Sequence, residues 1–329
     1  MYPNPESANA PRRRPDMGVK VHALTITTVA GRELKMNDDA AEAMRMSKLS
    51  LSHPPAPCPC SDLVGTLASL DGDDQHAAQW GRILDRPDAM RSHYQPITDV
   101  VTGTVVGHEA LLRIVDPEDG SAVNPAELFR AATHGGWHQA LDQAARRSAI
   151  VNAGSWLDDA LLFVNFLPSS IYNPSVCLRT TEAAARVSGI SMGQLVFEVV
   201  ESERITSIPH LRRIFDQYHE MGARVALDDL GADHATLSVA EALRPDVMKI
   251  DGAISRALPE AGAVGFVEDV VALGAAIGSK VLIEGVEEPQ QLDCAVELGV
   301  DLAQGYLLGR PVPRHARTSD EAHAGAHRS

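Results

Sequence analysis

The stretch Arg224–Leu230, RVALDDL, is an apolar-leaning strand pattern that ends in two adjacent carboxylates, Asp228 and Asp229, before a glycine and the polar loop Ala232–Thr236. Neighbouring residues on a strand point to opposite faces, so an ordinary strand would send one of the two acids toward the core. Burying a charge is costly unless it is paired or metal-bound. The pair therefore needs a partner, and the flanking sequence supplies candidates.

Seven further runs share this β-type character: His93–Val100 (HYQPITDV), Val105–Ile114 (VVGHEALLRI), Leu161–Leu167 (LLFVNFL), Leu195–Val200 (LVFEVV), Val247–Asp251 (VMKID), Lys280–Val286 (KVLIEGV) and Leu302–Leu308 (LAQGYLL). Helical patterns lie between them from the second run onward, including Ile208–Ala223 and Ala263–Gly278. Alternating strands and helices predict a parallel sheet. Eight strands in about 240 residues fit a closed (β/α)8 TIM barrel. Only Val101–Thr104 (VTGT) separates the first two runs, a hairpin-length link that predicts an antiparallel first strand. A doubly wound open sheet is the alternative, but no GxGxxG opens the first unit.

Polar residues recur in or just after these runs: Glu109, Asn165, Glu198 and Glu201, Asp228 and Asp229, Lys249 and Asp251, Glu284 and Glu287, and Gln304. In a barrel they converge on the C-terminal face, where barrel enzymes keep their sites. So many carboxylates repel one another unless cations neutralise them. An all-oxygen set selects hard cations such as Mg2+ or Mn2+. Adjacent Asp228 and Asp229 suit two cations about 3.5–4 Å apart, the spacing of two-metal phosphoester hydrolysis.

The chain of 329 residues is 44% hydrophobic and 22% charged, with a formal net charge of −15. That excess of acid argues against binding DNA or RNA through a general basic surface, though local cations can still hold a small phosphate ligand. No run of about 20 apolar residues predicts a membrane span, and the first 15 residues hold PRRRP without an apolar signal core. A cytoplasmic location is expected. Cys58, Cys60, Cys177 and Cys294 suggest no disulfide framework. Residues 1–77, rich in proline and small polar residues apart from the strand-like VKVHALTITT, read as a flexible N-terminal extension. Residues 78–315 read as the barrel domain and 316–329 as a disordered tail.

The motifs YQPI, EALLR, VNF, FEVVES, DDLG, MKID, EGVEEPQQL and QGYLLGRP occur in the order found in the EAL family of cyclic di-GMP phosphodiesterases, which the domain resembles over roughly residues 78–315. The resemblance implies a modified TIM barrel with its first strand antiparallel, and hydrolysis of cyclic di-GMP to linear pGpG with two Mg2+ or Mn2+ per site. It implies Glu109, Asn165, Glu198, Asp228 and Asp229 as metal ligands, Glu284 as general base, and Lys249 as the cation that orients water and phosphate. Glu287 and Gln304 would support the surroundings of the second metal, and Glu201 would help anchor the loop after the paired acids. Arg113 would hold a phosphate, Gln95 would lie along the ligand, and Asp142 would accept from a guanine edge.

One segment departs from the family pattern. After the paired acids the family reads roughly Thr-Gly-Tyr-Ser-Ser-Leu, whereas this chain has Ala232, Asp233, His234, Ala235, Thr236 and Leu237. The resemblance links this loop to the second metal and to dimer contacts, with Glu201 as its anchor, so a homodimer is a further expected partner. The altered loop opens a second expectation: a cyclic di-GMP receptor, or a protein-interaction module, with little or no turnover.

Overall fold

The structure, a computed structural model, describes residues 89–200, 207–231 and 234–314, residues 83 and 86, and two short strands. The chain divides into two compact units, Met1–Pro57 and Cys58–Ser329. In the first unit Thr25–Thr27, within the strand-like run of the sequence, pairs antiparallel with Glu33–Lys35. The rest of the expected extension and the tail beyond 314 lie outside the described residues.

The second unit holds a closed eight-stranded barrel. Its strands are β1 (Met90–Asp99), β2 (Val105–Val115), β3 (Leu161–Asn165), β4 (Leu195–Val200), β5 (Arg224–Leu230), β6 (Val247–Ile250), β7 (Lys280–Ile283) and β8 (Leu302–Ala303). Strands β2 to β8 run parallel to one another, and β1 closes the ring antiparallel to both β2 and β8. The hairpin that reverses β1 is built by Asp99, whose Oδ1 accepts from the amides of Val101 and Thr102, and by Gly103 at φ +67°. Helices α1 (Pro125–Gly135), α2 (His138–Ala153), α3 (Arg179–Ser188), α4 (Ile208–Glu220), α5 (His234–Leu243), α6 (Gly252–Arg256), α7 (Ala261–Ile277) and α8 (Pro289–Glu297) surround it.

The period of two along each strand sorts the barrel interior into layers. Ile97, Phe163, Val196, Ala226, Val247, Leu282 and Leu302 form one apolar cluster inside it. Two residues nearer the C-terminal face, on the same side of each strand, stand Gln95, Asn165, Glu198, Asp228, Lys249, Glu284 and Gln304. On β2 the pair is Gly107 and Glu109, and a Cβ on Gly107 would lie 3.1 Å from the Phe163 ring. An apolar plug thus closes the barrel beneath a layer of polar side chains.

Two strands are shorter than the sequence suggests. The patterns at 280–286 and 302–308 are continuous, yet β7 stops at Ile283 and β8 at Ala303. Gly285 takes φ +65°, and Gly305 passes so close to Val286 that a Cβ there would lie 2.0 Å from the Val286 carbonyl oxygen. These crossings lift the chain out of the ladder and carry Glu284 and Gln304 to the barrel mouth.

Candidate active site

The paired acids of β5 occupy a β-bulge. Leu227 is in register with Met248 and Leu230 with Ile250, so one extra residue is accommodated on β5 between them. Asp229 takes φ +58°, a left-handed conformation that aspartate tolerates better than most residues, and its amide donates to Asp228 Oδ1 at 2.9 Å. The bulge lets two consecutive acids meet the same centre, as bulges near active sites do when they re-aim a side chain.

Two groups of carboxylates result, and Asp228 belongs to both. Oxygens of Glu109, Glu198 and Asp228 all lie within 4.8 Å of one another, as do those of Asp228, Asp229 and Glu284. Lys249, 0% exposed, rises from β6 into their midst. Its Nζ lies 2.6 Å from Glu284 Oε1, 2.8 Å from Glu198 Oε1, 3.0 Å from Asp228 Oδ2 and 4.0 Å from Glu109 Oε2. Asn165 Nδ2 donates to Glu109 Oε1 at 3.2 Å and to Glu198 Oε2 at 3.3 Å. Gln304 Nε2 donates to Glu109 Oε2 at 2.8 Å and to Gln95 Oε1 at 3.1 Å, and Gln95 Nε2 donates to the Gly309 carbonyl at 3.1 Å.

Charge is unbalanced here: among the described residues, five carboxylates gather around one ammonium. Burial pushes the Glu198 carboxyl well above the usual carboxylate range, and raises Asp228 too, despite Lys249. Glu284 is held up at about 8, mainly by burial and then by Asp228 and Glu109, against Lys249. Asp229 sits at about 6, through burial and then through Asp228 and Asp251. Burial works against the Lys249 charge, but Asp228, Glu109, Glu198 and Glu284 outweigh it and keep the ammonium charged. The donors fit hard cations: they are oxygens, they carry surplus negative charge, and Gln304 Oε1 is buried with no hydrogen-bond partner among the described residues. Asn165 and Gln304 each bring an amide oxygen beside the NH2 group now engaged.

Two hollows flank this centre. One of about 350 Å³ is lined by Arg113, Phe129, Asp142, Asn165, Phe166 and Leu167 among others. The other, of about 230 Å³, is lined by Gln95, Glu109, Glu284, Glu287, Gln304 and Tyr306, with Arg256 at its edge. Arg113 is half-buried and its Nη1 donates to its neighbour's carbonyl, Leu112 O, at 2.9 Å. Glu287 is exposed at the rim, where its amide donates to Gln291 Oε1.

The structure thus brings together Glu109, Asn165, Glu198, Asp228, Asp229, Lys249, Glu284, Gln304 and Gln95, with Glu287 and Arg113 on the walls. Glu201, and the loop side chains at Ala232–Thr236, lie outside the described residues. Asp142, expected to accept from a guanine edge, lines the larger hollow from a buried position. It is 2% exposed, its Oδ2 accepts two N–H groups of Arg146, and its Oδ1 accepts from the Leu167 amide. One lone pair of Oδ1 remains, because a carboxylate oxygen accepts two hydrogen bonds.

Three contributors escape the sequence reading. Ser255 on α6 donates to the Glu284 carbonyl and fixes the backbone beneath that carboxylate. Tyr306 at the mouth carries the Arg310 guanidinium over its ring, 4.1 Å from the centroid. Arg146 neutralises Asp142. Only the last had a signal, an acid and an arginine four residues apart on a helix face shared with Ala149 and Ile150.

Known proteins agree with this architecture. The family described as EAL domain matches residues 82–311. An uncharacterized protein of Sinorhizobium fredii is 31% identical over 225 residues, covering 68% of this chain and 27% of the relative. The bifunctional diguanylate cyclase/cyclic di-GMP phosphodiesterase MucR of Pseudomonas aeruginosa is 30% identical over 233 residues, 67% of this chain and 33% of the relative. The chain therefore spans about a third or less of the length of these relatives. A solved structure of the PaMucR phosphodiesterase in complex with c-di-GMP matches with a TM-score of 0.65 at 26% identity, covering 76% of this chain and 100% of that one. With the barrel, the reversed first strand and the family match all in place, the chain belongs to the EAL domain family.

Proposed function

We propose that the chain is a metal-dependent phosphodiesterase that hydrolyses cyclic di-GMP to linear pGpG. The observation that carries this reading is the position of Asp228, shared on a bulge between two carboxylate groups. Glu109, Asn165, Glu198 and Asp228 would hold one Mg2+ or Mn2+, and Asp228 with Asp229 a second, near Glu287 and Gln304. Bound there, the two cations would neutralise the phosphate and acidify a water. Glu284 would accept a proton from the attacking water as the water oxygen bonds to phosphorus; the opposite ester P–O bond breaks to open the ring, and the departing ribose oxygen takes up a proton to become a hydroxyl. Lys249, a compact cation, holds Glu284 and Asp228 in place. Arg113 binds phosphate from the wall of the larger hollow. Incubation of the purified chain with cyclic di-GMP and Mg2+ or Mn2+, with products resolved by chromatography, tests this: pGpG is expected, and unchanged cyclic di-GMP contradicts it.

A second reading, a receptor that holds cyclic di-GMP without turning it over, is favoured by the loop sequence at 232–236. Binding of cyclic di-GMP without pGpG formation selects it over the first.

A further inference from the structure

Helix α2 turns a charged pair inward. Asp142 and Arg146 are 2% and 1% exposed, and Arg146 Nε and Nη2 donate to Asp142 Oδ2 at 3.0 and 2.7 Å. Arg146 Nη1 reaches across to α3 and donates to Thr181 Oγ1 at 2.7 Å. The other oxygen of Asp142, Oδ1, accepts from the Leu167 amide at 2.8 Å. Leu167 lies two residues past Asn165. Between them the Phe166 amide donates to the Glu198 carbonyl at 3.0 Å. The backbone that leaves Asn165 is therefore clamped twice, once to β4 and once to the carboxylate of Asp142.

A buried carboxylate keeps its place only while its donors do. Arg146 supplies two of them, and Thr181 fixes the direction of the guanidinium. Ser170 Oγ also donates to Asp142 Oδ2, at 2.6 Å, so loss of Arg146 removes two of the three side-chain donors and the countercharge, which loosens the carboxylate that accepts from the Leu167 amide.

We propose that Asp142 and Arg146 are positioning residues for cation binding: through Leu167 they set the Asn165 end of β3, and thereby the divalent-cation affinity of the carboxylate centre. This rests on the cation site proposed above. It assigns a role in cation binding to a buried pair on α2 that does not itself ligate the cations.

The test is a Mn2+ titration of the metal-stripped full chain, with free Mn2+ read by electron paramagnetic resonance and thermal unfolding followed in EDTA. Arg146→Met is expected to weaken Mn2+ binding about tenfold, the scale of changes behind metal ligands, and Arg146→Lys to recover part of the loss. Thr181→Val, which keeps shape and removes the Nη1 acceptor, is expected to weaken it about threefold, and carries the test if Arg146→Met does not fold. Val270→Ala, a cavity variant in α7 at a fully buried position, controls for general loosening and is expected to lower the unfolding temperature with Mn2+ affinity unchanged. Equal affinity in wild type, Arg146→Met and Thr181→Val overturns the proposal, as does an equal weakening in Val270→Ala. A wild-type chain that binds no Mn2+ overturns the cation site itself and this inference with it.

Discussion

Asp228 and Asp229 are consecutive residues whose carboxylates nonetheless lie together with Glu284, because the backbone between them carries a bulge and Asp229 stands at φ +58°. Replacing Asp229 separates its two contributions. Asp229→Asn keeps a side chain that accepts the left-handed conformation and removes the charge. It is expected to leave unfolding temperature nearly unchanged and to lower kcat/KM at least about a hundredfold, by removing one ligand of the second cation. Asp229→Ala adds a folding cost of about 1–2 kcal/mol at that backbone angle. Thermal unfolding in parallel with steady-state hydrolysis reads both, and an Asp229→Asn chain with full turnover contradicts the assignment.

Lys249 neutralises the centre from within, so its loss should be felt most without cations. Lys249→Met is expected to destabilise the metal-free protein by about 3–5 kcal/mol, the cost of breaking a buried ion pair. Mg2+ or Mn2+ should restore much of this by screening the same carboxylates. Thermal unfolding with EDTA and with saturating Mn2+ measures the difference; equal destabilisation in both would mean that the carboxylates hold no cation.

Glu284→Gln retains shape and hydrogen bonding but cannot take a proton. As general base its loss is expected to lower kcat by about 10²–10⁴ while cyclic di-GMP binding persists. Unchanged kcat with a raised KM makes Glu284 a binding residue instead.

Ile83, ahead of β1, is 0% exposed and packs with Ile114, Leu128, Trp137 and Leu141. Removal of residues 1–77 spares it, so the truncated chain is expected to fold and keep its catalytic constants within a few fold. Ile83→Ala is expected to cost about 2–5 kcal/mol as a core truncation. Insoluble protein on removal of 1–77 would show that the extension is part of the domain's core.

Much of the site is written in the period of two. Phe163 and Asn165, Val196 and Glu198, Val247 and Lys249, and Leu282 and Glu284 each place an apolar residue and then a polar one on one face of a strand, so strand direction alone predicts a polar mouth over an apolar plug. The ends of β7 and β8 were harder to read, because the apolar runs continue past Gly285 and Gly305 and only the close crossing of two backbones shows why they stop. The bulge at Asp228 and Asp229 leaves no local mark beyond the oddness of two acids side by side. Asp142 was not legible as one half of a buried pair, since Thr181 and Leu167 come to it and to Arg146 only in three dimensions.

The measurement that bears most directly on the two-cation account is a Mn2+ titration of the metal-stripped chain in which bound ions are counted and cyclic di-GMP hydrolysis is followed in the same samples. The account predicts two ions per chain, turnover that rises with the second, and no turnover in EDTA. Undiminished hydrolysis in EDTA, or full turnover with a single bound ion, contradicts it.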